Sequence, residues 1–202
     1  MPTCFVVHGW SETNGKNPYA FLDTHIEKRG WDVEAFLWNI NMAAPHPHYI
    51  CNQGKRLANL ASKGDIVIAV SAGASIAYEA LTRHRAPFSQ VILISPNLKR
   101  SAGFPENNIL KGIHVWYSPE DKVLAKARQG SISISALTFF VFGRHPWGRM
   151  GIFGGTEEHL ADSRFHQTNT MDYGVSRHVG ALEKQHLHIF LPQILAAIPD
   201  LC

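Results

Sequence analysis

Residues 69–73 read A-V-S-A-G and place one hydroxyl, Ser71, between two runs of different character. Before it stands the apolar, β-branched run Ile66-Val67-Ile68-Ala69-Val70; after it comes the helix-forming run Ile76-Ala77-Tyr78-Glu79-Ala80-Leu81. The pentapeptide is one methyl group away from G-x-S-x-G, in which a serine is raised on a sharp strand-to-helix turn. Large side chains two before and two after the serine would collide there, and Ala69 and Gly73 are small. A serine so placed attacks an acyl carbon when a neighbouring base takes its proton. The free N–H groups of the following helix then favour the negative charge that develops on the carbonyl oxygen. A small polar residue closing a strand has the same sequence, so the pentapeptide alone does not decide. Ser75, one helical turn later, reads as a packing residue.

Three further segments supply what such a serine needs. In "VVHGW" a strand ends in His8-Gly9-Trp10 two strands ahead of the serine. The backbone N–H of Trp10 is then the second oxyanion donor beside that of Ala72, and His8 is structural. In "WYSPEDKVL" Asp121 follows a late strand and is the candidate to orient an imidazole; Glu120 is the alternative, and capping the next helix is the ordinary role for either acid. Beyond Asp121 stand His145, His159, His166, His178, His186 and His188. His178 lies in the polar loop "DYGVSRHVGALEKQ" before a closing helix, where it can swing back over the serine, and is the candidate base. His186 and His188 fall inside that helix and His166 in a suspected strand.

The ordered set "HGW", "AVSAG", "SPED" and "SRHVGAL" resembles that of the α/β-hydrolase superfamily, in a compact form similar to serine esterases and lipases. "SRHVGAL" is similar to the S-H-x-G loops that carry the histidine in many of them. The resemblance covers most of the chain and implies a Ser-Asp-His triad in that chain order, acyl-enzyme chemistry on a carboxylic ester or thioester, and no cofactor. The implied partner is a small acyl substrate. A catalytically silent α/β-hydrolase fold acting as a binding module is the alternative, because fold does not dictate function. A peptidase or acyltransferase would use the same residues.

Composition excludes other classes. The 202 residues, 45 % hydrophobic and 17 % charged, suit one globular domain spanning 1–202. A net charge of +3 without a basic block argues against nucleic acid as a partner. No run reaches the roughly 18 apolar residues of a membrane span, and "MPTCFVVHGW" lacks the pattern of a signal peptide. Cys4, Cys51 and Cys202 have neither metal-like nor redox-like spacing, which fits a reducing, cytoplasmic setting. The pairs His46/His48 and His186/His188 raise a metal hydrolase, but neither belongs to an H-E-x-x-H helix, and H-x-H on a helix points its rings to different faces.

Short apolar runs alternate with helical stretches. Strands are expected at Cys4–Val7, around Val33, Ala35 and Leu37, at 66–70, at Val91–Ser95, over "GIHVWYSPED" as far as Pro119 and the acidic pair Glu120-Asp121, and, less regularly, over "SRFHQTNT". Helices are expected through Phe21, Leu22 and Ile26 with Gly30 as the stop, around Leu57 and Leu60, after Ser71, after Asp121, and over "EKQHLHIFLPQILAAI", interrupted or begun near Pro192. Uniformly apolar strands separated by helices predict a doubly wound, mostly parallel sheet covered on both faces. "GRHPWGRMGIFGG" reads as a glycine-rich loop, and "SISISALTFFVFG" fits strand or helix equally. Phe139, Phe140 and Trp147 receive no role.

Overall fold

The computed structural model describes residues 1–9, 17–38, 47–106, 110–125 and 150–201. Among the described residues six strands form one sheet: β1 (Thr3–Val7), β2 (Asp32–Phe36), β3 (Ile66–Val70), β4 (Gln90–Ile94), β5 (Gly112–Tyr117) and β6 (Phe165–Asn169). Their spatial order is β2-β1-β3-β4-β5-β6 and every pairing is parallel. The chain steps outward from β1 to β2, returns past β1 to β3, and then advances strand by strand. The order therefore reverses between β1 and β3, and ligands of open α/β sheets bind at the carboxyl ends flanking such a reversal.

Both faces of the central strands are apolar because both are covered. Val67, Ala69, Val91 and Leu93 pack with Leu57 of α2 (Pro47–Leu60) and with Ile76 and Ala80 of α3 (Gly73–Thr82). Ile66, Ile68, Ile92 and Ile94 face the other way, onto Ile26 of α1 (Asp23–Glu27) and Phe190 and Ile194 of the closing helix. Alternate residues thus serve opposite layers, the arrangement expected of a buried parallel strand. At the edge, β2 buries only Phe36, and its partial alternation reflects exposure to water. Asp65 makes the entry to β3 by accepting from Thr3 N–H (2.8 Å) and Ser62 N–H (2.6 Å), so a buried acid sits there fully bonded.

Several elements differ from expectation at their ends. Leu60 is the last residue of α2 and is 45 % exposed. "MGIF" forms a helical turn, α4 (Met150–Phe153), and α5 (Glu157–Ala161) follows. Thr156 and His159 cap α5 reciprocally; with histidine at the position usually held by Glu or Gln, the sequence hides this start. The closing helix α6 runs Leu187–Ala196 through Pro192, which it neither begins at nor breaks at. His186 therefore stands at the N-cap position of α6 instead of lying within it, with no side-chain cap bond. Trp31 Nε1–H donates to Pro199 O at 2.7 Å and moors the chain beyond α6 to the start of β2.

His114 of β5 stacks on His166 of β6, its register partner, with ring centroids 4.9 Å apart. Burial first, and the neighbouring His166 second, lower the pKa of His114 to about 4. An unfolded histidine titrates near 6.5, so the unfolded chain binds the proton more readily and acid draws the equilibrium toward it. The stability that neutral His114 allows is complete above about pH 6.5 and is lost as pH falls toward 4. Thermal melts from pH 7.5 to 4.5 are expected to show Tm falling below about 6.5. His114→Gln should flatten that fall; equal slopes would place the acid sensitivity elsewhere.

Candidate active site

β3 delivers Ser71 to the carboxyl edge of the sheet beside the end of β1. Ser71 has φ 51°, in the left-handed region that costs an L-residue roughly 1–2 kcal/mol. Packing and backbone bonds hold it there: its N–H donates to Ile94 O (2.9 Å), and its carbonyl accepts from Ala74 N–H (3.1 Å). The close approach of α3 to β1 explains the small residues. A Cβ on Gly73 would lie 2.5 Å from His8 O and 2.6 Å from Val7 O, and one on Gly9 would lie 2.9 Å from Ser71 Cβ. Gly73→Ala has only backbone to push against and is expected to cost about 3 kcal/mol, roughly 10 °C in Tm. Gly103→Ala, where a Cβ meets nothing within 4 Å, is the control in the same melting experiment.

The structure brings Ser71, His178 and Asp121 together. Ser71 Oγ lies 2.8 Å from His178 Nε2, and His178 Nδ1 lies 2.6 Å from Asp121 Oδ2. With Nδ1–H donating to the carboxylate, Nε2 is left to accept from the serine hydroxyl. The Asp121 carboxyl is fully buried and the His178 ring is 13 % exposed, so both bonds are shielded from water. Asp121 Oδ1 meanwhile accepts from Leu124 N–H at 2.9 Å. The helix-capping role and the imidazole contact thus belong to two oxygens of one side chain. Glu120 is exposed.

Other histidines go elsewhere. His159 accepts from Thr156 at Nδ1 and donates from Nε2 to Ala102 O (2.9 Å). His186 contacts Gly180 O and His188 is exposed on α6; His145 and His46 lie outside the described residues. Among the described residues, no three His, Cys, Asp or Glu side chains are grouped closely enough to hold a metal ion.

Ala72 is the N-cap of α3, and its amide has no backbone acceptor among the described residues. Trp10, with Phe139, Phe140 and Trp147, lies outside them. His8, just ahead of Trp10, is buried and bonded at both ring nitrogens: Nδ1–H donates to Gly9 O (2.7 Å), and Nε2 accepts from Trp38 N–H (3.2 Å). Trp38 returns Nε1–H to His8 O (2.9 Å) and stacks on the imidazole. Burial holds the His8 pKa below the usual range, which suits this neutral tautomer. Sequence reasoning assigned His8 a structural role but missed its partner, because Trp38 reads only as the apolar end of β2. It also missed Ser95, a buried residue at the end of β4 whose Oγ accepts from Val179 N–H at 3.2 Å.

No protein-family model matches the chain, and no curated protein matches it in sequence. Solved structures do match. A protein from Xanthomonas campestris pv. campestris assigned to the alpha/beta superfamily of hydrolases is 14 % identical, with a TM-score of 0.50. That match covers 97 % of this chain and 99 % of the other. The carboxylesterase CesB from Bacillus subtilis is 10 % identical, with a TM-score of 0.55, over 100 % of this chain and 84 % of its own. Identities this low speak to architecture alone, and they agree with the parallel sheet and its reversal beside Ser71: the chain has the α/β-hydrolase fold.

Proposed function

We propose that the protein is a serine hydrolase that cleaves carboxylic esters or thioesters through an acyl-enzyme. The observation that carries this reading is the continuous hydrogen-bonded line from Ser71 Oγ through the His178 ring to Asp121 Oδ2. His178 Nε2 takes the hydroxyl proton as Ser71 Oγ attacks the acyl carbon, and the buried Asp121 carboxylate stabilises the imidazolium that forms. The tetrahedral oxyanion rests on the Ala72 N–H and, by the sequence argument, the Trp10 N–H; each such donor typically lowers the barrier by roughly 3–4 kcal/mol. Collapse returns the proton from His178 to the departing alcohol or thiol and leaves the acyl group on Ser71. A water molecule, deprotonated by His178, then attacks that ester; the second tetrahedral intermediate expels Ser71 Oγ, which takes the proton back from His178, and the carboxylic acid leaves.

Support for acyl chemistry at this place also comes from the fold it shares with the carboxylesterase from Bacillus subtilis, whose activity is that protein's own. No step in the reaction calls for a cofactor.

The test is pre-steady-state hydrolysis of short p-nitrophenyl esters together with labelling by a fluorophosphonate. An initial burst of about one nitrophenolate per chain, with the phosphonate adduct mapped to Ser71, is the expected result. A folded protein that gives neither burst nor adduct would point to the fold serving as a binding module.

A further inference from the structure

We infer that Ser95 is a positioning residue that holds the His178 loop in register with Ser71; the inference rests on the reading of His178 as the base. Ser95 leaves β4 much as Ser71 leaves the neighbouring strand β3. Both are the first residue beyond their strand, both are buried, and both have positive φ, 47° and 51°. Each donates its N–H to a carbonyl near the end of the next strand, Ser71 to that of the last residue of β4, Ile94 (2.9 Å), and Ser95 to that of the penultimate residue of β5, Trp116 (2.8 Å). The two joints are therefore built in series across the sheet.

What Ser95 does with its hydroxyl distinguishes it from a turn residue. Its Oγ accepts from the N–H of Val179, the residue that follows His178. Val179 itself has φ 51°, a conformation that a β-branched residue adopts only when its surroundings impose it. Among the described residues four non-glycines have positive φ, and three of them, Ser71, Ser95 and Val179, meet here. A strained residue beside the imidazole would relax if released, and relaxation would turn the ring away from the serine. The bond from Val179 N–H to Ser95 Oγ opposes that.

The same turn also reaches the serine side. Asn97 Oδ1 accepts from Ser75 Oγ–H (2.8 Å) in the first turn of α3, and Pro96 O accepts from Gly151 N–H (2.8 Å) of α4. Ser95-Pro96-Asn97 thus links the helix behind the nucleophile to the loop that carries the base. Ser95 is the member of this turn whose side chain engages the base-carrying loop.

The variant that separates this role from simple packing is Ser95→Gly. Glycine adopts positive φ without steric cost, so the backbone joint is kept or eased while the acceptor is lost. Tm is expected to stay level or rise. At the same time kcat for p-nitrophenyl esters should fall about 10- to 100-fold with KM unchanged, and fluorophosphonate labelling of Ser71 should slow by the same factor. Ser95→Ala, which retains the strain and loses the acceptor, should lose activity similarly with a lower Tm. A Ser95→Gly protein with wild-type kcat and labelling rate would overturn the inference. Amide exchange keeps the two readings apart, because Val179 N–H should exchange at least tenfold faster in Ser95→Gly whether or not the protein hydrolyses esters. Unchanged exchange in Ser95→Gly overturns the tether itself, whereas faster exchange in Ser95→Gly, with a wild type that is never labelled at Ser71, removes the hydrolase reading and with it the positioning role.

Discussion

Ser71→Ala is expected to lower kcat for short p-nitrophenyl esters by about 10⁴- to 10⁶-fold while the protein remains folded. The substitution removes one oxygen and leaves the backbone joint as it was. Alanine meets the same left-handed conformation at φ 51°, and the N–H still reaches Ile94 O. The loss is confined to the nucleophile and to the hydrogen bond that it gives His178 Nε2. Residual turnover over water would come from oxyanion stabilisation and binding, which the change does not touch. Stopped-flow burst amplitude, measured beside thermal melting, checks both halves of the expectation. Equal turnover in the two folded proteins would make Ser71 a turn residue and return the fold to a binding role.

Asp121→Asn is expected to lower kcat about 10⁴-fold, with little change in stability, through the tautomer of His178. Asparagine keeps the shape of the side chain and one carbonyl oxygen, which can continue to accept from Leu124 N–H. Toward the ring it presents an NH₂ group in place of Oδ2, and His178 Nδ1 must then accept instead of donate. The ring proton moves to Nε2, where it faces the serine hydroxyl and cannot take its proton. Asp121→Ala separates the two duties of this residue, because it also removes the cap and should cost a further ~1 kcal/mol in stability. Melting curves and kcat for the pair measure the cap and the imidazole contact independently. An Asp121→Asn variant retaining more than a tenth of wild-type kcat would assign Asp121 to capping alone.

Much of the framework was legible because it is local. Uniform apolar runs announce strands buried on both faces, and the five-residue spans of β3 and β4 lie within a residue of where their composition places them. Ala69 and Gly73 announce the tight joint because steric exclusion acts over two or three residues, and Gly73 proves to face two carbonyl oxygens at distances no methyl can occupy. Helix ends were less legible. Leu60, the cap of α5 by His159 and the passage of α6 through Pro192 depend on what lies beyond each end, and periodicity does not carry that information.

The site divides along the same line. Composition and spacing place a serine between small residues where a buried strand gives way to a helix, with an acid after a later strand and histidines after the acid; that the serine stands in the left-handed conformation is a finding of the structure. Of the six histidines that follow Asp121, the polar loop before the closing helix singles out His178, but only as a candidate, since the others carry the same chemistry. That choice is made by contacts spanning 107 residues to Ser71 and 57 to Asp121, which exist only once β3, β4 and β5 lie side by side. The supporting bonds are of this kind too: His8 to Trp38 across β1 and β2, and Ser95 to Val179 across the end of β4. A hydrogen bond needs its atoms within about 3 Å, and only the closed sheet brings residues so distant in the chain to that separation.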